Sequence, residues 1–427
     1  MNQNIGLQRR LLIIFSIVFA GEIIFSLPFH VARFFRPTLL DVFGITNTQL
    51  GDIFGLYGIL AMLAYFPGGA IADRFSGRRL MSFSLFATAL GGVYFVQIPN
   101  HNGLTLLFAY WGVTTILLFW ASMIKVTRQW GGETSQGRAF GILDGGRGLV
   151  AAGVASIAVL ILTMLLPTNT AVMTAAQQTS ALKAVITFYS SMTLFAAMLV
   201  FFAIPTDNSD KNKAIKVESE FSTLKGILAV IRQPKVWLQA LIVLAAYCAY
   251  KSLDYFGLYA TTVLGFNELD SARLVANASY LRPIAAITAG IIADKLGAGR
   301  VISWGFVLLS GCYLLFSLLE PDSANPSFII EMNLLLTFLL VFAIRGVYFA
   351  LLEESKLSGQ LTGTAVGVIS VIGFTPDIFF APVAGRIIDS APGIDGFNQL
   401  FLLLGSLSAL GFIVAYTLAK RVKSASP

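Results

Sequence analysis

Hydrophobic positions in this chain come in long unbroken runs. They show neither the alternation of a half-buried strand nor the single apolar stripe of a soluble helix. A helix needs about 20 mostly apolar residues to cross roughly 30 Å of hydrocarbon. Twelve runs of that kind, bounded by charges or Gly/Pro clusters, lie near 11–33, 48–72, 80–98, 104–127, 138–166, 182–204, 236–264, 271–293, 301–319, 330–352, 363–389 and 397–419. The pattern predicts an all-α membrane protein with twelve transmembrane helices. The first run follows Arg9 and Arg10, as a signal peptide would. It is too long for one, holds Glu22 and is followed by no small-residue cleavage site, so it is expected to stay in the mature protein.

Composition agrees and narrows the class. Of 427 residues, 56% are hydrophobic and only 12% charged, with mean hydropathy +0.78. A soluble domain carries about twice that charged fraction. Soluble enzymes, nucleic-acid binders and disordered scaffolds are thereby excluded. The net charge of +7 reflects cations placed between apolar runs. With both termini inside, 20 of the 29 Lys and Arg fall on the cytoplasmic face and 5 on the other. That asymmetry predicts cytoplasmic termini and a multi-pass protein of a bacterial inner membrane. Cys248 and Cys312 lie in apolar stretches and suggest no disulfide framework. His30 and His101 are too few and too far apart to suggest a metal site. No nucleotide-binding loop, catalytic triad or metal cluster is visible, so neither an enzyme nor a cofactor is expected.

The one long polar stretch, 205–235, divides the chain into an N-terminal bundle of six helices, 1–204, and a C-terminal one, 236–427. Its mixed charge reads as a solvated cytoplasmic linker. The halves echo one another. Gly69-Ala70-Ile71-Ala72-Asp73-Arg74 with Arg78 and Arg79 follows the second span, and Gly290-Ile291-Ile292-Ala293-Asp294-Lys295 with Arg300 follows the eighth. A second echo opens the fifth and eleventh spans, Gly137-Arg138-Ala139-Phe140-Gly141 against Gly363-Thr364-Ala365-Val366-Gly367. Duplicated helical halves are the architecture of transporters that rock about a central site.

On these features the chain resembles the major facilitator superfamily over essentially its whole length. The Gly137–Gly141 string, Gly145-Gly146-Arg147-Gly148, Thr375-Pro376-Asp377 and Pro392-Gly393-Ile394 are similar to a bacterial permease branch of sugar-phosphate and sulfosugar carriers. Some features depart from family patterns. Ser76 stands where the family loop usually has Gly, and Gly77 where it often has Arg. The fifth span lacks the Gly-Pro pair of many drug/proton antiporters. Ile204-Pro205-Thr206 stands where sugar porters carry a Pro-Glu-Ser-type string, and the Gly/Asn-rich signatures of nitrate carriers are missing.

Asp73 ends a helix whose C-terminal dipole is negative, so its carboxylate calls for a positive partner. The resemblance implies that Asp73 faces the start of the eleventh span near Gly363, and Asp294 the start of the fifth near Gly137. Such contacts would hold the cytoplasmic side shut. Arg74, Arg78, Lys295 and Arg300 would anchor the two loops. Glycines at small-xxx-small spacing, Gly137, Gly141 and Gly145 in one span and Gly363 and Gly367 in another, are expected at close helix contacts.

A charge at bilayer depth costs about 2.5–3.5 kcal/mol on insertion scales. The spans hold Arg147, Lys251, Arg282 and Arg345 against Glu22, Asp144, Asp254 and Asp377. Asp144 and Arg147 are three apart, as are Lys251 and Asp254, so each pair can neutralise itself on one helix face. Arg282 and Arg345 must find Glu22, Asp377 or a bound ligand. Guanidinium suits phosphate, sulfonate or carboxylate. Arg282, with Arg147, Lys251, Arg345 and Tyr250, is therefore the candidate grip on an anionic head group. Interhelical salt bridges are the alternative. Tyr247, Tyr255 and Tyr259 share the seventh span with Tyr250, and the resemblance implies that this span lines the cavity. Glu22 is either a proton carrier or a counter-ion to an arginine.

The expectation is a monomeric secondary transporter working by alternating access. It would be coupled to protons or to a counter-substrate and would move a small polar organic anion of sugar-acid, sugar-phosphate or sulfosugar type. An exporter of amphipathic or drug-like compounds is the alternative. Partners beyond the small-molecule substrate and the lipid bilayer are not expected, nucleic acid least of all.

Overall fold

A computed structural model of the chain describes residues 6–132, 136–165, 174–205, 228–319, 326–351, 362–391 and 393–424. Those residues are almost entirely helical and include no strand. Most of the expected linker lies outside the described residues.

The first span is α1 (Leu7–Ile23), a π-helical turn (Ser26–His30) and α2 (Val31–Phe34), bent by 42°. Pro28 inside the turn has no N–H to give to a regular ladder, and the wider turn accommodates it. A short helix α3 (Arg36–Phe43) follows and stops at Gly44, whose φ of +61° suits a residue without Cβ. Then come α4 (Asn47–Arg74), α5 (Gly77–Phe95), α6 (His101–Thr114), α7 (Trp120–Gly131), α8 (Gln136–Leu165) and α9 (Ala175–Ala203). Helices α4 and α9 both start with a reciprocal capping box. Thr46 Oγ1 accepts from Gln49 N at 3.2 Å while Gln49 Oε1 accepts from Thr46 N at 3.0 Å, and Thr174 with Gln177 repeats the arrangement.

The seventh span is α10 (Pro234–Ser252), a 3₁₀ turn (Leu253–Tyr255) and α11 (Phe256–Thr262). The eighth is α12 (Glu268–Ser279) with α13 (Leu281–Leu296). Helices α14 (Ala298–Leu318) and α15 (Pro326–Val347) follow. The eleventh span is split into α16 (Thr362–Gly373) and α17 (Pro376–Ser390), because Pro376 restarts the ladder at its N1/N2 position. Helix α18 (Ile394–Ser424) ends the chain.

Among the described residues nine helices are long and apolar enough to cross a membrane, or ten with the bent first span. Two sequence-predicted spans fall outside that set. The run near 80–98 lies mostly in α5, and the run near 104–127 is divided between α6 and α7 by turns at 115–119.

The residues cluster into two compact units. One comprises Met1–Lys213 with Asp254–Thr261 and Gly265–Tyr280; the other comprises Ala214–Leu253, Thr262–Leu264 and Leu281–Pro427. In the first unit α1 packs on α8 and α9, and α4 packs on α6. Gly146 lets α8 approach α1: a Cβ there would lie 2.7 Å from Val18 Cγ1. The expected contact glycines Gly141 and Gly145 are different, since a Cβ on either would meet nothing within 4 Å. In the second unit α14 packs on α18 and α13 on α15.

Candidate functional site

The first unit buries an acid between two bases. Glu22 ends α1, His30 ends the π turn and Arg147 lies midway along α8. They are 3%, 2% and 9% exposed. Glu22 Oε2 accepts from Arg147 Nε at 3.0 Å, and Glu22 Oε1 lies 3.2 Å from His30 Nε2. Residues eight apart on a regular helix are separated by about 12 Å along its axis. The bent, widened turn between Glu22 and His30 lets their side chains meet.

Arg147 binds through Nε alone. No acceptor among the described residues meets its Nη hydrogens. Phe25 and Trp120, packed edge-to-face on each other at 6.2 Å, lie to one side of the guanidinium with ring centroids 5.7 and 5.9 Å from Cζ. Gly21 lets α7 approach α1 beside this site, since a Cβ there would lie 2.8 Å from Met123 Sδ. The result is a buried cation held at Nε, with two packed aromatic rings beside it.

A second buried set closes one end of the same unit. Arg33 Nε donates to Asp254 Oδ1 at 2.5 Å. Arg36, only 1% exposed, lies 4.0 Å over the Tyr255 ring and donates from Nε to Asn47 Oδ1 at 3.0 Å. Glu268 accepts from Thr38 Oγ1 and, at 2.6 Å, from Gln178 Nε2. Together these bonds tie α2, α3 and α9 to the 3₁₀ turn and the start of α12.

The second unit has its own cluster. Lys251 Nζ lies 3.2 Å from Asp377 Oδ1. The Tyr247 hydroxyl lies 3.1 Å from both Asp377 oxygens, and its ring stacks on Tyr250 at 5.8 Å. The Arg345 guanidinium lies 3.8 Å over the Tyr250 ring. Asp377 sits in the first turn of α17, where the helix dipole favours a carboxylate.

The structure thus brings Glu22 to Arg147, Asp254 to Arg33, Lys251 to Asp377 and Arg345 to Tyr250. Arg147 takes its acid from α1, although Asp144, half-buried, is three residues away on its own helix. Arg282 is buried near the start of α13. The loop residues Asp73, Arg74, Asp294, Lys295 and Arg300 are exposed, and Asp73 and Asp294 make no ion pair among the described residues. The negative end of α4 is met by Lys125, whose Nζ donates to Ala72 O at 2.9 Å. Arg78 lies over the Phe201 ring at 4.6 Å. The side chains around Gly137 and Gly363, where the resemblance sets the partners of Asp294 and Asp73, lie outside the described residues.

Sequence reasoning passed over three residues. His30 enters the sequence reading only as a possible metal ligand, and Arg33 and Arg36 are not among its candidate residues. Pro28 within an apolar run was the available signal, because a broken span redirects the side chains on either side of it.

With this geometry in hand, the chain proves to belong to the Major Facilitator Superfamily, whose family model matches residues 11–375. It is a multi-pass membrane transporter with that superfamily's fold. Among its relatives, the Inner membrane protein YqcE of Escherichia coli is 30% identical over 416 residues, covering 96% of this chain and 94% of its own. The Inner membrane protein YihN of the same organism is 28% identical, covering 94% and 93%. Among solved structures, a nucleoside transporter NupG mutant superposes with a TM-score of 0.72 at 12% identity, over 96% of this chain and 99% of that one. A bacterial homologue of the lysosomal transporter Spinster, inward-facing and unoccupied, gives 0.70 at 13% identity over 97% and 96%.

Proposed function

We propose that this protein is an inner-membrane secondary transporter that moves a small polar organic anion, of sugar-acid, sugar-phosphate or sulfosugar type, by alternating access. In this reading twelve spans form two six-helix halves, 1–204 and 236–427, joined by a cytoplasmic linker at 205–235, with both termini in the cytoplasm. The names of the Escherichia coli relatives support the inner membrane.

The observation that carries the substrate class is Arg147. A buried guanidinium that spends one donor on Glu22 and whose Nη hydrogens meet no acceptor among the described residues is a ready fork for phosphate, sulfonate or carboxylate. Phe25 and Trp120 beside it suit the apolar faces of a sugar ring. Arg282, Arg345, Lys251 and Tyr250 are the further candidate contacts. Asp73, Asp294 and their basic neighbours belong to the gating loops.

The test is thermal stabilisation of the detergent-purified protein by glucose 6-phosphate, glucuronate, a 6-sulfonated glucose and neutral glucose. One anion is expected to stabilise the wild type and to lose that effect in Arg147→Lys, which keeps the charge and removes the fork. Arg282→Gln asks the same of the second unit. Stabilisation by lipophilic compounds alone would overturn the organic-anion reading in favour of an exporter.

A further inference from the structure

We propose that His30 is the proton-binding residue of this transporter, and that a proton on its Nδ1 and an anion on Arg147 favour one another. The inference rests on the organic-anion reading and adds the coupling chemistry to it.

A carboxylate only accepts hydrogen bonds, so at 3.2 Å from Glu22 Oε1 the His30 Nε2 carries a hydrogen. In the neutral ring Nδ1 is then the basic nitrogen. Arg147 stays protonated at every relevant pH. Glu22, with a nitrogen donor on each oxygen, is the anion of the set. Imidazole is the member suited to change charge near neutral pH.

The buried charge now decides the linkage. With His30 neutral, Glu22 and Arg147 sum to zero. With His30 protonated the set carries one net positive charge, in a place where uncompensated charge is expensive. An anion on the Nη hydrogens of Arg147 returns the sum to zero. Each event therefore lowers the cost of the other, and the coupling is reciprocal. The step is a single proton passing from water to Nδ1, with no covalent bond of the substrate made or broken.

The groups around the ring are consistent with this count. On α2, Arg33 is matched by Asp254, and on α3 Arg36 lies against Tyr255 and Asn47. On α8, Asp144 is half-buried three residues from Arg147, and Arg147 takes its ion pair from Glu22 instead. On α12, Glu268 is engaged by Thr38 and Gln178. On α5, Arg78 and Arg79 lie in the first turn, with Arg78 over Phe201. From α9 come Thr193, 3.4 Å from Ser26, and Tyr189, edge-on to His30 at 5.9 Å. The Tyr189 hydroxyl is buried with no hydrogen-bond partner among the described residues, so this pocket holds an unused proton donor and acceptor beside the histidine.

The chain has two histidines, so full-length protein labelled with 15N-histidine in lipid nanodiscs gives two ring signatures, and His101→Gln assigns them. At about pH 7, glucose 6-phosphate is expected to raise the protonated-to-neutral ratio of His30 by about fivefold or more, with glucose leaving it unchanged. In proteoliposomes, His30→Gln is expected to lose accumulation driven by a pH gradient, and its remaining glucose 6-phosphate counterflow is expected to lose the pH dependence of the wild type, a signature that a merely structural role would not produce. If glucose 6-phosphate or another anion of the panel stabilises the protein while the His30 signature stays fixed, the linkage is overturned and the organic-anion reading stands. Gradient-driven accumulation surviving in His30→Gln also overturns it. If no anion binds, the organic-anion reading fails and takes the linkage with it.

Discussion

Two acids on broken spans, Glu22 in the first unit and Asp377 in the second, are each held by a basic side chain from another helix, and they differ in what completes them. Glu22 takes Arg147 on one oxygen and an imidazole on the other. Asp377 takes Lys251 and the hydroxyl of Tyr247. The Glu22 side chain is 4% exposed and that of Asp377 22%. The partners of Asp377 are an ammonium and a phenol hydroxyl, whereas those of Glu22 include an imidazole, the group proposed above as the proton carrier. The same ion-pair chemistry thus recurs with different third members.

Burial also sets what each pair is worth when broken. Removing one partner of a buried pair strands the other, at about 3–5 kcal/mol. Arg147→Gln is therefore expected to have the largest effect, because Glu22 loses its arginine. Thermal unfolding in detergent measures it, beside Glu22→Gln/Arg147→Gln, which removes the stranded charge and should recover most of the loss. A double variant no better than the single one would show that packing, not charge, is what Arg147 supplies.

Lys251→Met is expected to cost less, about 1–3 kcal/mol, because Asp377 keeps Tyr247, a helix N-terminus and some water. If it equalled Arg147→Gln, the partial exposure of Asp377 would have no protective effect and the contrast between the clusters would fail. Tyr247→Phe should cost less again, about 0.6–1.7 kcal/mol, the range of hydrogen bonds between membrane helices. Its unfolding midpoint, compared with that of Lys251→Met, ranks hydroxyl against ammonium on the same carboxylate.

How much of this was open to sequence reasoning depends on where the chain breaks. The helical class and the family follow from apolar runs and the Asp73 and Asp294 loops, because run length and charge placement survive any detail of packing. An arginine as partner for Glu22 was also within reach, since a lone carboxylate in an apolar run demands a cation. Which arginine was not. Spacing puts Asp144 beside Arg147 and Asp254 beside Lys251, whereas the structure gives Arg147 to Glu22 and sets Arg33 against Asp254. In the second case the α-helix ends at Ser252 and Asp254 lies within the 3₁₀ turn Leu253–Tyr255, so the regular three-residue spacing no longer describes where the two side chains point. In the first span Pro28 does the same for His30. Helical spacing predicts pairs within a helix, and it loses its force where the ladder changes pitch.

The smallest expected effect calibrates the others. Arg273 Nη1 lies 3.3 Å from Asp270 Oδ1 at the start of α12, three residues along the same helix, and both side chains are about half exposed. Water screens such a pair and the long side chains give up rotamer freedom to form it, so it is worth about 0.2–1 kcal/mol. Arg273→Ala should move the unfolding midpoint little, and the residual effect should shrink in about 1 M salt, where the screening length is about 3 Å. Arg147→Gln should keep its full effect in the same salt, because ions do not reach a pair that buried. A salt-independent Arg273→Ala as damaging as Lys251→Met would point to the bond between Arg273 Nη2 and Thr163 as the source. Exposure would then no longer rank the ion pairs of this protein, and the difference between its two acid clusters would have to be sought in geometry alone.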